Sequence, residues 1–577
     1  MKFRTFIVPL IAAAGLVLIL GLGFLGGLNL RNPLYLLEKG GQSLPMALQF
    51  VPKQSSVVAS VLVRPDRLAS LWEYLAAPKL RQSVQQDVQA IERSLLANTG
   101  LTYATDIQPW IGDEITVALV SPDLDQNADN GYRPGYLVVL TCRDSQAAQA
   151  QLELFWQNRA ITGAALTFED FSGSRLIYAQ SSTPQIETKV ESDLEQFATT
   201  LVADRFLLVA NHPEVLRQAL MAAQAADANL QTDPRYKTAL QLLPSQRVGL
   251  LTINLPAVAH WLHHRPLPKA LSQALNHLGD QDGTVDWGLM SVRLTRQGMM
   301  ADMAWVAAGG QQLSPSSPPA QDWSSLARYL PDSLSLAVLG TDLATLGKEL
   351  APFLDTLFPD RGAMLVPTMV DQTFGPGAAA AILAGATQDY ALGVDAPLGA
   401  TTPDWFLLRP QGESMTTAVQ RLTELVRQQG LGVGTVEIQG QPTTVWTRLS
   451  LNRQGRQSGQ PLAITAEVAG LQTEVGDYGA IATSADALDT LLSRSQAAAQ
   501  YPDWWLLTEQ FRQPNHGYIH IDWSQVQNSL GQHLPRFRLW QAAAQPGLKH
   551  LQQVTLARYG RTQQVQTGSL FFQLSNS

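Results

Sequence analysis

The chain repeats a long pattern of strands and helices, and this repeat constrains the fold more than any other feature. Asp204–Leu216 matches Gly476–Leu488 without a gap, and Gly249–Leu255 matches Gly517–Trp523. Both members of the first pair have the pattern of a strand, a polar helix start and a helix with apolar spacing. The repeated unit of roughly 260 residues is much longer than a solenoid or propeller repeat, so it predicts a duplicated domain. Chance similarity between two stretches of strands and helices is the alternative.

The chain is long enough for two sizeable cores, since it has 577 residues, of which 45% are hydrophobic. A stretch rich in Gly, Ser and Pro separates the two copies and is typical of a linker. We predict a cytoplasmic stub with a membrane anchor at 1–30, a juxtamembrane segment at 31–49, a first α+β domain at 50–308, a linker at 309–322 and a second α+β domain at 323–577.

Short turns between neighbouring strands indicate the fold class. Phe197–Val202 and Phe206–Ala210 flank three turn residues, and Met290–Leu294 and Met300–Trp305 flank a second turn. Strands joined in this way run antiparallel. The predicted fold is therefore α+β, with two tandem similar domains that have mainly antiparallel sheets and helices packed on one face, preceded by one N-terminal transmembrane helix.

The N-terminus has the features of an uncleaved membrane anchor. Lys2 and Arg4 precede an uncharged segment, Phe6–Leu30, which as a helix would be about 37 Å long and would span a bilayer. The positive-inside rule predicts a cytoplasmic N-terminus, with the bulk of the chain in the periplasm or the thylakoid lumen. A cleaved signal peptide is the alternative. Gly23 and Gly27 form a GxxxG pair that would allow two anchors to associate, and the oligomeric state stays open.

A family resemblance rests on three local motifs. They are the "PW-G-DE" motif at Asp106–Glu114 ahead of a strand, the Val51–Pro52 opening, and Arg205–Ala210 ahead of a helix. In these features the chain resembles an uncharacterised, largely cyanobacterial family of membrane-anchored bacterial proteins with a domain of unknown function. The resemblance covers nearly all of the chain after the anchor and implies no catalytic residues. In the second copy, Thr373–Gly377 stands where the first has Trp110–Glu114.

Several acidic clusters are candidate sites, each with a more ordinary interpretation. Asp113 and Glu114 are adjacent, so on a strand they would point to opposite faces, which favours a role in a turn or at a strand edge over acid–base catalysis. Asp125, Asn127, Asp129, Asn130 and Gly131 have the spacing of a calcium loop but lack its Gly and bidentate Glu. A third cluster, around Gly283, combines Asp280, Asp282 and Asp286. We predict a hairpin loop for the second cluster and no metal site in any of them.

The histidines also lack the pattern of a metal centre. His260, His263 and His264 follow a predicted strand, but a zincin motif would require a Glu, and no second ligand cluster lies nearby. His516 and His520 would lie on one face of a strand, where packing or contact with a partner is favoured over metal. We therefore expect no metal and no cofactor.

Function is inferred mainly from missing motifs. The sequence has no GxSxG elbow, no Walker A loop and no strand-linked GxGxxG. The net charge of −8 and the lack of a long basic run argue against a general nucleic-acid binder. Trp504, Trp505 and Trp523 are candidate recognition or core aromatics, and Cys142 has the setting of a packed thiol.

The prediction is a single-pass membrane protein whose extracytoplasmic domains bind a protein or a hydrophobic ligand, or act as a scaffold, without catalysis. A membrane-tethered hydrolase with a dispersed site, and a lipid carrier or chaperone, are the alternatives. The catalytic residues of such a hydrolase stay unknown.

Overall fold

The strands formed by the described residues pair antiparallel into one continuous sheet of twenty strands. The computed structural model describes residues 35–42, 44–68, 100–124, 133–180, 197–225, 227–258, 285–309, 311–313, 322–341, 366–383, 388–395, 404–452, 463–497, 500–526 and 551–574. The strands of the first half are β1 (Val57–Val61), β2 (Ile111–Ser121), β3 (Gly135–Cys142), β4 (Ala165–Phe171), β5 (Ser174–Gln180), β6 (Ala198–Val202), β7 (Phe206–Ala210), β8 (Gly249–Asn254), β9 (Val285–Thr295) and β10 (Gly298–Ala307).

The second half contributes an equal set of strands. They are β11 (Leu336–Thr341), β12 (Asp389–Asp395), β13 (Asp404–Pro410), β14 (Gly432–Ile438), β15 (Gln441–Asn452), β16 (Ala463–Val475), β17 (Tyr478–Ala482), β18 (Gly517–Asp522), β19 (Leu551–Arg561) and β20 (Val565–Leu574). The spatial order is β4-β5-β6-β7-β3-β2-β1-β8-β9-β10-β20-β19-β18-β11-β12-β13-β17-β16-β15-β14. Read outward from the centre, both halves follow the same order.

Helices connect the strands within the described residues. They are α1 (Tyr35–Lys39), α2 (Ser145–Ile161), α3 (Pro213–Gln224), α4 (Pro234–Leu242), α5 (Ser324–Ala327), α6 (Val366–Phe374), α7 (Ala378–Leu383), α8 (Glu413–Gln428) and α9 (Ala485–Gln496), with 3-10 turns at Ala47–Phe50, Leu230–Thr232 and Asp503–Gln510 and a π turn at Tyr103–Ile107. Polar residues start the matching helices α3 and α9. Nδ1 of His212 accepts the Glu214 amide at 3.1 Å, and Oγ of Ser484 accepts the Ala487 amide at 3.2 Å.

The two halves meet where β10 pairs with β20. This seam contains nine residue pairs, from Gly298–Gln573 to Val306–Val565, with Asp302 opposite Ser569 in the middle. Gly298 has a φ of +154°, and a Cβ there would lie 2.0 Å from the Phe572 carbonyl oxygen. Only glycine fits this close approach at the end of the seam.

A pseudo-twofold axis runs through the Asp302–Ser569 pair. Following cross-strand partners outward from Asp302 gives Ser291, Leu250, Ser60, Thr116, Val139 and Leu208. The same walk from Ser569 gives Ala557, Tyr518, Leu339, Ala391, Leu408 and Ala480. Leu250 and Tyr518, like Leu208 and Ala480, are also matched in the sequence repeat.

Helices cover both faces of the sheet and form three layers. The front face, which carries Asp302 and Ser569, packs against α3, α4 and the 47–50 turn in the first half, and against α5, α9 and the 503–510 turn in the second. The back face packs against α2 in the first half and against α6, α7 and α8 in the second. Helices on both faces contradict the predicted single helical layer, because alternate residues of the inner strands are apolar on each side.

The predicted fold class is wrong in its central feature. The second half continues the sheet of the first, whereas two tandem domains would have had separate sheets. The reason is that β10 and β20 each end their half with an open row of backbone groups, and pairing the two rows satisfies both. No helix formed by the described residues is long and apolar enough to cross a membrane. The predicted transmembrane helix therefore has no structural support, and residues 6–30, to which it is assigned, lie outside the described residues.

A charge swap across the axis tests the seam. Ser569→Asp places a second buried carboxylate against Asp302, and we expect it to lower the free energy of unfolding by about 3 kcal/mol. Asp302→Ser combined with Ser569→Asp restores a single carboxylate and should recover most of that loss in urea unfolding. A double variant as unstable as Ser569→Asp alone would contradict the pairing.

Candidate functional site

The "PW-G-DE" motif builds the start of β2. The Trp110 indole is buried and donates from Nε1 to the Asp106 carbonyl at 2.6 Å. A Cβ on Gly112 would lie 2.5 Å from Oγ1 of Thr141, so the neighbouring strand leaves no room for a side chain. The motif thus has a structural explanation at each of these positions.

The two acids of the motif diverge. Asp113 is exposed and lies 3.7 Å from Arg67. Glu114 is fully buried and accepts the Met46 and Ala47 amides at 2.8 and 2.9 Å, so it caps the 47–50 turn. Burial raises the pKa of Glu114, while these amides and the Thr116 hydroxyl oppose the rise. The pair cannot act together as acid and base, because the two carboxylates lie on opposite faces of the strand.

The second half caps its matching helix differently. Asp322 accepts the Ser324 amide at 2.8 Å at the start of α5. Strand register shows which residue matches Glu114 in the second half. Ala391 and Thr116 occupy equivalent positions in the two halves, and Asp389 and Glu114 each lie two residues before them, so Asp389 occupies the position of Glu114. The alignment of Thr373–Gly377 with the motif is therefore wrong; this segment lies at the end of α6.

Four polar side chains meet at the pseudo-twofold axis. The buried Asp302 carboxylate accepts from Arg293 Nε at 3.0 Å and from the Ser569 hydroxyl. The Tyr559 phenol lies close to Ser569, and burial raises the pKa of this phenol. Ser569 is fully buried and faces a carboxylate and a phenol, so the cluster connects the halves and offers no accessible nucleophile.

His520 meets a hydroxyl, but inside the core. Its Nδ1 lies 3.0 Å from Oγ1 of Thr555, and the Trp504 ring stacks on the imidazole at 4.6 Å and 9°. Burial lowers the pKa of His520 to about 4. His516 is also buried, and its amide donates to the Arg558 carbonyl at 2.7 Å. The His520–Thr555 pair has the distance of a catalytic dyad, but both side chains are buried.

An exposed aromatic surface adjoins this core. Tyr501 is 39% exposed, and its ring stacks on Trp505 at 6.0 Å and 21°. Leu506 beside it is 66% exposed, and Asp503 and Glu509 on the same turn are exposed acids. We call Tyr501, Trp505 and Leu506 the aromatic surface. Trp504 instead belongs to the core, and Trp523 is partly buried after β18.

The remaining predicted residues are isolated or lie outside the described residues. Asp286 pairs with Arg235 at 3.5 Å. Cys142 ends β3 half-buried, and burial raises the pKa of its thiol to about 11. No group of metal-ligating side chains occurs among the residues that the structure describes. Outside these ranges lie Gly23, Gly27, Asp125, Asn127, Asp129, Asn130, Gly131, His260, His263, His264, Asp280 and Asp282.

Sequence reasoning missed three functional or structural residues. Asp302 is a lone acid in an apolar strand, which is a signal of a buried polar contact. Arg247 is buried just before β8, although nothing in its sequence setting distinguishes it from a surface Arg. Tyr501 precedes the two tryptophans by a Pro–Asp pair, and this aromatic spacing was the available signal.

Comparison with known proteins gives one extensive match. The family model described as "Protein of unknown function (DUF3352)" matches residues 10–574. None of the curated proteins compared matches the chain. A solved structure titled "Structure of crystal form I of TP0453" aligns with 11% identity over 47% of this chain and 82% of that chain, at a TM-score of 0.24. A TM-score this low establishes no common fold.

The buried imidazole predicts a pH dependence of stability. Its folded pKa of about 4 lies below the ordinary 6.5, so between these values the unfolded chain binds a proton that the folded chain does not, and stability falls as pH drops from about 6.5 toward 4. Between pH 7 and about pH 4.5 the free energy of unfolding of the wild type should fall by about 2 kcal/mol more than that of His520→Gln. Glutamine keeps an amide that can bond Thr555 but does not titrate. Equal losses in urea unfolding would contradict the neutral buried imidazole.

Proposed function

The chain belongs to the DUF3352 family of proteins of unknown function, and we propose that it is a non-enzymatic binding or scaffolding protein that recruits another protein through its aromatic surface. The exposure of Tyr501 and Leu506 on either side of the partly buried Trp505 ring carries this proposal. Trp and Tyr are the residues that most often dominate binding energy at protein interfaces. The exposed Leu506 next to Trp505 adds apolar area that water leaves readily on contact.

The aromatic surface is pre-organised for binding. Trp505 packs edge-on against Trp504 at 6.0 Å and against Tyr518 at 5.7 Å, and both of these rings are buried. Its backbone is fixed as well, because the Trp505 amide donates to the Pro502 carbonyl at 2.8 Å and the Thr508 hydroxyl donates to the Trp505 carbonyl. A rigid aromatic side chain loses little entropy on binding.

The charges around the aromatic surface indicate the chemistry of the partner. Asp503 and Glu509 are exposed on the same turn. The carboxylate of Asp332 lies beside them and accepts a hydrogen bond from the Asp503 amide at 2.6 Å. The chain as a whole carries a net charge of −8. A partner segment that combines apolar side chains with Lys or Arg would therefore be favoured.

The hydrolase alternative has less support. The His520–Thr555 pair is shielded by Trp504, and Glu114 and Asp302 are occupied by bonds within the chain. A carrier for lipids is also less favoured, because helices fill the front face in both halves with buried apolar side chains.

The location of the protein is proposed from the sequence alone. We propose an extracytoplasmic position beside a bacterial membrane, with the uncharged segment 6–30 as the anchor and a cyanobacterial source. The scaffold would then present the aromatic surface to proteins on the far side of that membrane.

Site-specific crosslinking tests the proposed contact. A photoreactive residue at position 506 should capture a discrete protein in the producing cell, and Trp505→Ala should weaken the contact at least about 30-fold, as expected for the loss of an aromatic hot spot. The matched control is Leu449, which is 62% exposed in the same half and should give no such product.

Two results would contradict the proposal. One is capture at position 449 equal to that at position 506, which would show non-specific apolar contact. The other is full capture at position 506 in the Trp505→Ala variant. A lipid adduct instead of a protein adduct at position 506 would favour the hydrophobic-ligand alternative and would also contradict protein recruitment.

A further inference from the structure

A buried arginine in the first half lacks a countercharge among the described residues. Arg247 is 3% exposed, just ahead of β8. Its NH2 group donates to the Pro244 carbonyl at 2.7 Å. Its Nε and NH1 atoms are buried and have no hydrogen-bond acceptor in the part of the chain that the structure describes. Two nitrogens of a permanently charged group are therefore left without acceptors.

Among the described residues, no acid contributes to the electrostatic surroundings of Arg247. Burial lowers the pKa of the guanidinium, and the charged state is favoured only by the phenol of Tyr236 on α4. That phenol is itself neutral, because burial raises its pKa far above the physiological range. Within the described residues, then, no carboxylate acts on Arg247. An uncompensated buried charge costs several kcal/mol even after relaxation.

The second half provides an internal comparison. Asn515 occupies the matching position, since Arg247 and Asn515 each lie two residues before the matched Gly249 and Gly517. Asn515 is fully buried, and its Nδ2 donates to the Arg512 carbonyl at 3.2 Å, the counterpart of the Arg247–Pro244 bond. Nδ2 also donates to the Tyr518 hydroxyl at 2.7 Å.

The amide of Asn515 is satisfied on its acceptor side as well. Oδ1 accepts the Trp323 indole at 3.0 Å and the Gly517 amide at 3.0 Å. In the first half the position of Trp323 is taken by Leu44, which is 50% exposed and has no polar group to offer. The second half therefore has a neutral side chain, Asn515, whose polar atoms are all hydrogen-bonded. The first half has a cationic side chain, Arg247, with one hydrogen bond at the same position.

We propose that Arg247 binds a small monovalent anion, of the size of chloride or formate, in the first half of the sheet. Water could accept from Nε and NH1 but would leave the charge uncompensated, whereas an anion supplies both an acceptor and the opposite charge. The small size follows from the burial of the guanidinium, since a bulky acid would have to displace the packed segment around it.

The anion would stabilise the segment that leads into the first half. The Arg247 carbonyl accepts the Gly41 amide at 2.7 Å, and a Cβ on Gly40 would lie 2.6 Å from the Arg247 backbone nitrogen. Gln246 donates from its side chain to the Glu38 carbonyl. Residues 35–42 are thus held against the stretch that carries Arg247. A bound anion that stabilises Arg247 would therefore also stabilise the packing of residues 35–42.

Thermal unfolding of the full chain at constant ionic strength tests the site. Replacing sodium gluconate, whose anion is too bulky for the site, with sodium chloride or sodium formate should raise the Tm of the wild type saturably, by roughly 2–4 °C. Arg247→Met, and Arg247→Asn as a copy of the second half, should abolish that shift. Arg409→Met is the matched control, because Arg409 is equally buried but bonds the Ile382 carbonyl and the Ser414 hydroxyl; it should keep the shift.

Chlorine NMR of the wild type gives a readout that does not depend on folding of the variants. Chloride bound at Arg247 should broaden the signal, and formate should sharpen it again by competition. The proposal is overturned if neither chloride nor formate shifts the Tm, if Arg247→Met or Arg247→Asn keeps the shift, or if the chloride signal does not broaden.

Discussion

The backbone ladder between β10 and β20 is the interaction on which the rest of the structure depends. Without it, each half would end in an open strand edge, which favours aggregation. The ladder turns two ten-stranded sheets into one, and Asp302 fixes its register from the middle of the seam. A buried carboxylate is costly unless it is fully bonded, so a shift in the β10–β20 register would separate the Asp302 carboxylate from the Ser569 hydroxyl that donates to it.

The symmetry of the backbone contrasts with the asymmetry of the buried polar residues. Asp302 faces Ser569 across the axis, and Arg247 matches Asn515. Glu114 caps a turn in the first half, whereas Asp322 does so in the second. The aromatic surface has no counterpart in the first half: at the offset that matches Gly249 with Gly517, Asp233, Lys237 and Thr238 stand where the second half has Tyr501, Trp505 and Leu506. Two copies of one scaffold thus differ at the positions where charge and exposed apolar area would contribute to binding.

Local features of this fold could be predicted from sequence, and long-range ones could not. The structure forms the hairpins β6–β7 and β9–β10, because alternating apolar residues around a short turn specify them locally. The divergence of Asp113 and Glu114 follows from the same alternation. The seam depends on two edges that lie far apart in sequence, which periodicity does not reveal. At the candidate site, the tryptophans could be singled out from the sequence. The burial of Trp504 and the exposure of Leu506 could not be predicted, because they depend on tertiary packing.

Amide hydrogen exchange with single-residue resolution tests the continuous sheet most directly. If β10 and β20 are paired interior strands, all amides of Met299–Val306 and Gln566–Phe572 that lie within the ladder should exchange as slowly as those of β1 and β11. The outer strands β4 and β14, paired on one side within the described residues, provide the internal reference for an edge. If alternate amides of β10 and β20 exchanged as fast as those of β4 and β14, the two halves would be separate sheets and the account would be contradicted.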